Sequence, residues 1–368
     1  LVRCGWGLER NRNGGSAAAA ILALPAVGGK FGVRGGGYSM SNSASWGIAR
    51  TWTDAQEPAT RVVNMNRVGR ELLAPSGPPI QALFVYNCNP AVTLPDQNRV
   101  LAGLAREDLF TVVFDQVLTD TAKYADVVLP ATTFLEHYDF AKGYGALSLQ
   151  LAKPVIEPVA ESRPNADVFI DLATRLGLNG DAAPADELEQ MLRVVAALPD
   201  GVREDVRDHG VAAPPHGGRP VQFVDVYPLT ADRKVHLWPE ALHAETPRGL
   251  YAYIEDPATE AFPLTLISPA SERTVSSTLG ELERPEVRLE MHPDDAGARA
   301  IEDGDDVRVF NDLGEMRCRV KLTHLVRPGT VSFPKGVWRR HTANQLTSNA
   351  LVPDTLTDFA GGACFNDA

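Results

Sequence analysis

Three short apolar runs between residues 82 and 129 constrain the fold more than any other part of this sequence. Residues 82–86, 109–114 and 126–129 are rich in β-branched and aromatic side chains, and each run ends in small polar residues. Residues 94–106, between the first two runs, are long enough for a helix, and residues 119–125 leave room for one or two helical turns. This alternation predicts a βαβαβ unit of parallel strands buried on both faces. In open sheets of this kind, ligands sit beyond the carboxyl ends of the strands. Those ends carry Asn87-Cys88-Asn89-Pro90, then Asp115-Gln116 with Thr119-Asp120-Thr121, then Pro130-Ala131-Thr132-Thr133. Three polar clusters are expected to converge on one edge of the sheet as a ligand site.

The side chains narrow the ligand. Thr119 and Asp120 stand where a short helix should begin, placed to cap free amides and to leave amides for a phosphate. Asp115 is an acceptor-only carboxylate when ionised, which matches the ring N–H and exocyclic amino group of guanine. Asn87 and Asn89 add paired donors and acceptors. The alternative for any one of these residues is a helix cap or turn former.

Residues 87–90, the run Thr-Asp-Thr-Ala-Lys-Tyr-Ala-Asp-Val-Val-Leu-Pro-Ala-Thr-Thr-Phe-Leu-Glu-His at 119–137, and Asn-Ala-Asp-Val-Phe at 165–169 resemble the molybdopterin oxidoreductases of the dimethyl sulfoxide reductase type. That family includes formate dehydrogenases, nitrate reductases and thiosulfate reductases. The resemblance extends through Gly5-Trp6-Gly7-Leu8-Glu9-Arg10-Asn11-Arg12-Asn13-Gly14-Gly15, then 267–271, 334–339 and 349–354. It implies an α/β fold: a parallel-sheet Rossmann-like domain over residues 1–220, then a six-stranded double-psi β-barrel domain over 221–368.

The resemblance also implies a cofactor. Two molybdopterin guanine dinucleotides would hold one molybdenum or tungsten through their dithiolenes, and the metal would carry the redox chemistry. Expected cofactor-binding residues in the first domain are Asn87, Asn89, Pro90, Asp115, Thr119, Asp120 and Thr121. In the barrel, Ser268, Ser271, Arg273, Ser276, Ser277 and Thr278 form a hydroxyl-rich loop with one guanidinium, suited to a diphosphate. Lys335, Trp338, Arg339, Arg340 and His341 form a second basic cluster, whose alternative is a solvated surface run. Asn349 and Asp354 are placed to hydrogen-bond the pterin. Glu136 and His137 suggest a metal or proton relay, but such a pair more often serves structure.

The cysteines mark a departure from the family. Cys4, Cys88, Cys318 and Cys364 are far apart, with no C-x-x-C spacing, so neither a disulfide scaffold nor a local zinc or iron–sulfur site is expected. Buried free thiols in a reducing, cytoplasmic setting are expected instead. The family's [4Fe–4S] segment and its protein ligand to the metal belong to a region not visible here, so no catalytic residue and no metal ligand is assigned. The chain, which opens on Leu1 in what resembles mid-fold, reads as a fragment or a shortened relative of the carboxyl-terminal half. Expected partners are a small-molecule substrate and an electron-transfer subunit or the missing amino-terminal half. Two other classes stay open: a structural subunit that has lost the metal, and a free nucleotide-binding module.

Composition excludes other functions. The net charge of -12 argues against a nucleic-acid groove. No apolar run approaches the roughly 20 residues that span a bilayer. Arg10 and Arg12 before the apolar run 17–26 imitate a signal peptide. Glu9 and the flanking glycines favour a short helix packed in a core instead.

Elsewhere, 28–37 and 75–79 are breaker-rich loops, and 40–60, with Trp46 and Trp52, has no clean periodicity. Helices are expected at 165–176 and 187–198, and a linker or surface insertion holding His209 and His216 at 199–220. From residue 221 the pattern predicts short strands at 262–268, 305–310, 315–322 and 330–333. A helix is expected at 293–300 and a hairpin turn at 311–314.

Overall fold

The computed structural model describes residues 1–41, 45–46, 60–143, 147–178, 183–255, 257–273, 275–283 and 285–368. Trp52 lies outside them. The chain forms two compact units that are not consecutive in sequence: one of Leu1–Cys4, Ile21–Arg61 and Leu129–Leu237, the other of Gly5–Ala20, Val62–Val128 and Trp238–Ala368. No helix among the described residues is long and apolar enough to cross a membrane.

The first unit is built on an antiparallel sheet, with Leu149–Ala152 between Asp139–Lys142 and Val211–Ala212. Its core gathers Trp46, Leu149, Leu198, Val202, Val206 and Ala212. The segment 199–220 is therefore not a linker. Val202 and Val206 lie four apart on the helix Val202–His209 and bury one stripe, while charged residues cover the rest. Gly210, in the left-handed region, ends the helix and turns the chain into the strand Val211–Ala212. The abundance of Asp, Arg and Gly hid this two-residue stripe. His209 is exposed at the helix end, as expected of a solvated histidine.

Helices occur at Asn165–Arg175 and Glu187–Ala196, close to expectation, the second capped by Asp186, which accepts from Glu189 N at 2.9 Å. In the first, only Val168 is fully buried and Leu176 is 68% exposed, so it is less deeply packed than its periodicity implied.

Glu136 clamps a loop in this unit. The buried carboxylate accepts from Thr133 N at 2.7 Å, Thr133 Oγ1 at 2.6 Å, Val159 N at 2.6 Å and Ser162 Oγ at 3.3 Å. Its neighbour His137 turns instead to Thr132 Oγ1, 2.9 Å from Nδ1. The Glu–His pair is thus structural, and Thr132 and Thr133 are engaged by it.

In the second unit, Ala82–Tyr86 and Phe110–Asp115 pair in parallel, Ala82 opposite Phe110 and Tyr86 opposite Phe114, and Val127–Pro130 follows in the sheet. The strands are within a residue of expectation. The helix expected within 94–106 is Gln97–Leu104; a separate short helix, Pro90–Thr93, precedes it, and Pro95, which lacks an amide, and Asp96, left-handed at φ 51°, divide the two. The sheet is not buried on both faces. Val85 and Val113 pack with Ala122 on one face, and the other leaves Phe84, Tyr86 and Phe110 exposed around the buried Phe114.

The helix Gly14–Val27 is longer than the apolar run implied and is not enclosed, with Leu24 63% and Val27 76% exposed. Asp358 accepts from Gly15 N at 3.0 Å and Ser16 N at 2.8 Å, placing a carboxylate at the positive end of its dipole.

The carboxyl-terminal sheet has five strands in the order Asp306–Phe310, Glu315–Leu322, Arg288–Met291, Thr330–Ser332, Thr265–Ile267. Asp306–Phe310 and Glu315–Leu322 form the expected antiparallel hairpin, while Arg288–Met291 pairs in parallel with Glu315–Leu322 and antiparallel with Thr330–Ser332. Met316, Cys318 and Val320 alternate inward onto Leu266, Leu289, Val331 and Phe333. Arg288–Met291 was not foreseen, because Glu290 and Arg288 mask a strand of only four residues.

Hydrogen bonding draws the Glu136 carboxyl from 4.5 down to about 2. Its contribution to stability is present above the unfolded pKa and is lost as pH falls through the folded one. Glu136→Gln is therefore expected to destabilise the protein at neutral pH, with the difference from wild type closing between pH 4.5 and about 2. Urea unfolding across that range checks this, and a constant difference would refute it.

Candidate functional site

The carboxyl ends of the first two parallel strands meet in a buried polar joint. Asn89 Oδ1 accepts from Thr121 N at 3.1 Å and Thr121 Oγ1 at 2.7 Å, and Thr121 Oγ1 accepts from Ala91 N at 3.0 Å. Thr119 Oγ1 caps the single turn Thr121–Tyr124 through Ala122 N at 3.2 Å. Asp120 is fully buried, taking Lys123 Nζ at 2.7 Å and Arg339 N at 2.8 Å. The first amides of this turn, and the side chains of Thr119, Asp120 and Thr121, are therefore engaged within the chain. Pro90, buried, starts the next helix. Asn89 Nδ2 is buried without a hydrogen-bond partner, and Asn87 is exposed in the left-handed region at φ 49°.

Asp115 lies half-buried beside this joint. Its carboxylate accepts from Gln116 N at 2.7 Å and from the Val117 amide, and forms no ion pair among the described residues. Burial pushes its pKa up, and the charge of Glu281 adds to the rise against those two amides. Cys88 Sγ lies 3.8 Å from Thr93 Oγ1. Burial raises its pKa, against hydrogen bonds with Thr93 and the Asn89 backbone, and the nearby Asp115 charge adds to the rise. All four cysteines are free. Among the described residues, no group of three His, Cys, Asp or Glu side chains is arranged to hold a metal.

A second set of groups follows the strands Thr265–Ile267 and Thr330–Ser332. Ser268 is buried, and its Oγ and carbonyl accept from Arg10 Nη2 at 2.7 and 3.0 Å. Lys335 N donates to Pro269 O at 2.9 Å. Burial and the charge of Arg10 push the Lys335 ammonium pKa down, with Glu9 opposing. Ser271 Oγ accepts from Arg273 N at 3.3 Å, and Arg273 is exposed beside Glu272. Ser271 and Arg273 line a cavity of about 480 Å³ with Glu290, Lys321 and Ser332. Ser276 and Thr278 are exposed, Thr278 Oγ1 donating to Val275 O at 2.6 Å.

The segment 335–341 locks this loop in place. Trp338 is buried and its Nε1 donates to Ser277 O at 2.8 Å. Arg340 Nη2 donates to the carbonyls of Gly280 and Glu281, both at 2.8 Å, and Arg339 reaches Gln345 O and Tyr124 Oη, both at 2.9 Å. The cluster is therefore not a solvated run: its two arginines hold backbone. Asn349 and Asp354 are likewise engaged, Asn349 Nδ2 with Val92 O at 2.9 Å and Asp354 with Arg70 through Nε at 2.7 Å and through Nη2.

The structure thus brings Asn87, Asn89, Asp115 and residues 119–121 together. It gathers Ser268 and Lys335 around Arg10, and sets Ser271, Arg273, Ser276 and Thr278 along one loop. The sequence reading passed over Arg10 as a residue in its own right. The available signal was its place in the Gly5–Gly15 motif.

Residues 1–175 match the molybdopterin oxidoreductase family and residues 268–368 match the molybdopterin dinucleotide-binding domain. This chain belongs to the molybdopterin oxidoreductase family. It is 35% identical to the probable oxidoreductase YoaE of Bacillus subtilis, over 99% of this chain and 55% of that protein. It is 27% identical to the dimethyl sulfoxide reductase DmsA of Haemophilus influenzae, over 96% of this chain and 50% of that protein. It shares its fold with acetylene hydratase from Pelobacter acetylenicus, at a TM-score of 0.67 and 20% identity over 82% of this chain and 46% of that chain. The chain spans about half the length of the curated relatives it matches.

Two outcomes follow from this geometry. A raised carboxyl pKa means that ionised Asp115 costs stability, the stabilisation being present at low pH and lost as pH rises through the folded value. Asp115→Asn is expected to melt at the same temperature as wild type or higher at neutral pH, and a clear fall in calorimetric Tm would refute this. Gly336, at φ 70°, presses on the Ser276 carbonyl, where a β-carbon would overlap the oxygen. Gly336→Ala is expected to cost at least about 1–3 kcal/mol by chemical denaturation.

Proposed function

We propose that this chain contributes the guanine-dinucleotide-binding part of a molybdenum or tungsten oxidoreductase, with two molybdopterin guanine dinucleotides per metal. When bound, that group supplies the two-electron redox chemistry. The protein's part is to bind, orient and tune it through hydrogen bonds. We take the five-stranded sheet as most of a six-stranded double-psi barrel, and the linear division near residue 220 as the boundary between the family's two domains. An electron-transfer subunit and a small-molecule substrate complete the assignment.

The observation that carries this reading is Asp115: a half-buried carboxylate with two backbone donors and no paired cation among the described residues, at the end of a parallel strand. A guanine edge supplies the two donors it lacks. The buried, unpartnered Nδ2 of Asn89 in the adjoining joint, and exposed Asn87, offer further contacts to the base. Thr119, Asp120 and Thr121 hold that joint and so fix where Asp115 and Asn87 stand. The hydroxyls of Ser271, Ser276 and Thr278, with Arg273, suit phosphate oxygens, and Pro90 and Asn349 keep the neighbouring backbone in place.

Titration of guanosine into apoprotein tests this. Asp115→Asn is expected to weaken binding by about 1.5–3 kcal/mol, the range for a hydrogen bond to a charged group. Wild-type binding is expected to weaken as acid protonates Asp115, beginning at higher pH than for an ordinary carboxylate because its pKa is raised. Equal affinities of wild type and variant would remove Asp115 from the site.

A further inference from the structure

Two parallel strands each deliver a histidine to the same end of the curled sheet. Arg288–Met291 and Glu315–Leu322 run side by side with Met291 opposite Leu322, and Thr323 N donates to Met291 O at 2.9 Å, so His292 and His324 leave the sheet as neighbours. Met291 also stands opposite Val331, near the start of Thr330–Ser332, so this end lies away from the loops that follow Ile267 and Ser332. His324 Nδ1 lies 3.2 Å from His292 Nε2, with the ring planes at 76°. The other ring nitrogen of His292, Nδ1, accepts from Asp294 N at 3.2 Å and caps the helix Pro293–Gly297, and it stands 3.5 Å from Asp294 Oδ2.

These contacts fix the tautomers. A ring nitrogen that accepts from an amide carries a lone pair, so the proton of neutral His292 is on Nε2 and is donated to His324 Nδ1. The proton of neutral His324 is then on its outer nitrogen, Nε2. We propose that the pair is a proton-operated toggle: one added proton ends on His292 Nδ1, which releases the Asp294 amide and takes the Asp294 carboxylate in its place. The count of protons requires this end point. With one proton bridging the rings, the two others of the charged pair must occupy the two outer nitrogens, His292 Nδ1 and His324 Nε2. It makes no difference which ring the proton reaches first, because the bridge is kept only with Nδ1 of His292 protonated.

The surrounding charges allow the exchange. An imidazolium at the positive end of a helix dipole is disfavoured, and the carboxylates of Asp294 and Asp295 in the first turn offset that. Asp294 is the one beside the ring, while Asp295 is turned to Gly329 N at 2.8 Å and to Arg299 at 4.0 Å. On the neighbouring strands and turns, Glu290 is paired with Lys321 at 3.2 Å, Asp303 takes Leu322 N at 2.7 Å, and Arg327 reaches Thr330 Oγ1 at 3.2 Å. None of these pairs with either histidine among the described residues. The helix stays seated through buried Ala296 and the Asp295 bond to Gly329, so the exchange acts on its first turn.

The test is NMR of the nitrogen-labelled full chain, reading ring nitrogen shifts and amide exchange protection against pH in wild type, His292→Asn and Asp294→Asn. Imidazoles change charge between about pH 5 and 8. On acidification through that range, wild-type His292 Nδ1 is expected to gain a proton while Nε2 keeps its own. Protection of the Asp294 amide is expected to fall about fivefold, in line with the loss of an N-cap. His292→Asn keeps a cap acceptor without a titrating ring, so protection is expected to hold across the range. Asp294→Asn is expected to move the transition to lower pH, because the charged ring loses its carboxylate. The proposal is overturned if Nδ1 already carries a proton at the alkaline end, or if the amide's protection in wild type does not change with pH. It is also overturned if protection falls equally in His292→Asn, or if the transition stays in place in Asp294→Asn. The wild-type ring shifts decide by themselves should either variant fold poorly.

Discussion

The buried amide of Gln97 is the joint on which the larger unit depends. Its Nε2 donates to Ala91 O at 2.6 Å, and its Oε1 accepts from Thr347 N at 2.8 Å and Thr347 Oγ1 at 3.3 Å. Asn349 crosses the same boundary in the opposite direction, to Val92 O. The bonds from Thr347 to Gln97 and from Asn349 to Val92 join the helices Pro90–Thr93 and Gln97–Leu104 to residues 347–349, about 250 residues later. In so dry a setting each is hard to lose, since an orphaned buried donor or acceptor costs roughly 1–3 kcal/mol. The joint sets where the 335–341 segment runs, and so where Arg339 meets Asp120 and Arg340 holds the loop beside Asp115.

Much of the framework was legible because its signals are local. A β-branched run with a polar end reads as a strand wherever it lies, and Asn311-Asp312-Leu313-Gly314 reads as a turn without its partners. Long-range features were not legible. Nothing near Asp358 says that it caps the helix Gly14–Val27, and nothing near Arg340 says that it holds carbonyls 58 to 60 residues away. The helix Val202–His209 was missed because two valines among charged residues make a weak stripe, yet they fill a core beside Trp46. Burial of the parallel sheet was overstated for a related reason: apolar content reports what a strand can bury, not what covers it.

The site itself was legible in part, and the division has a physical basis. Sequence reasoning selected polar residues at strand ends without separating those that hold the chain from those that face outward. Partnering separates them. Asp120, Asp354, Asp358 and Asn349 are each satisfied by one or more chain donors or acceptors and belong to the framework. Thr119 and Thr121 belong there too, although the same chemistry made them credible ligands.

What remains are groups whose burial is only partly balanced among the described residues: the Asp115 carboxylate facing the charge of Glu281, the Asn89 amide nitrogen and the Arg10 Nε. A protein selected for stability alone would pair these charges or replace them with apolar residues.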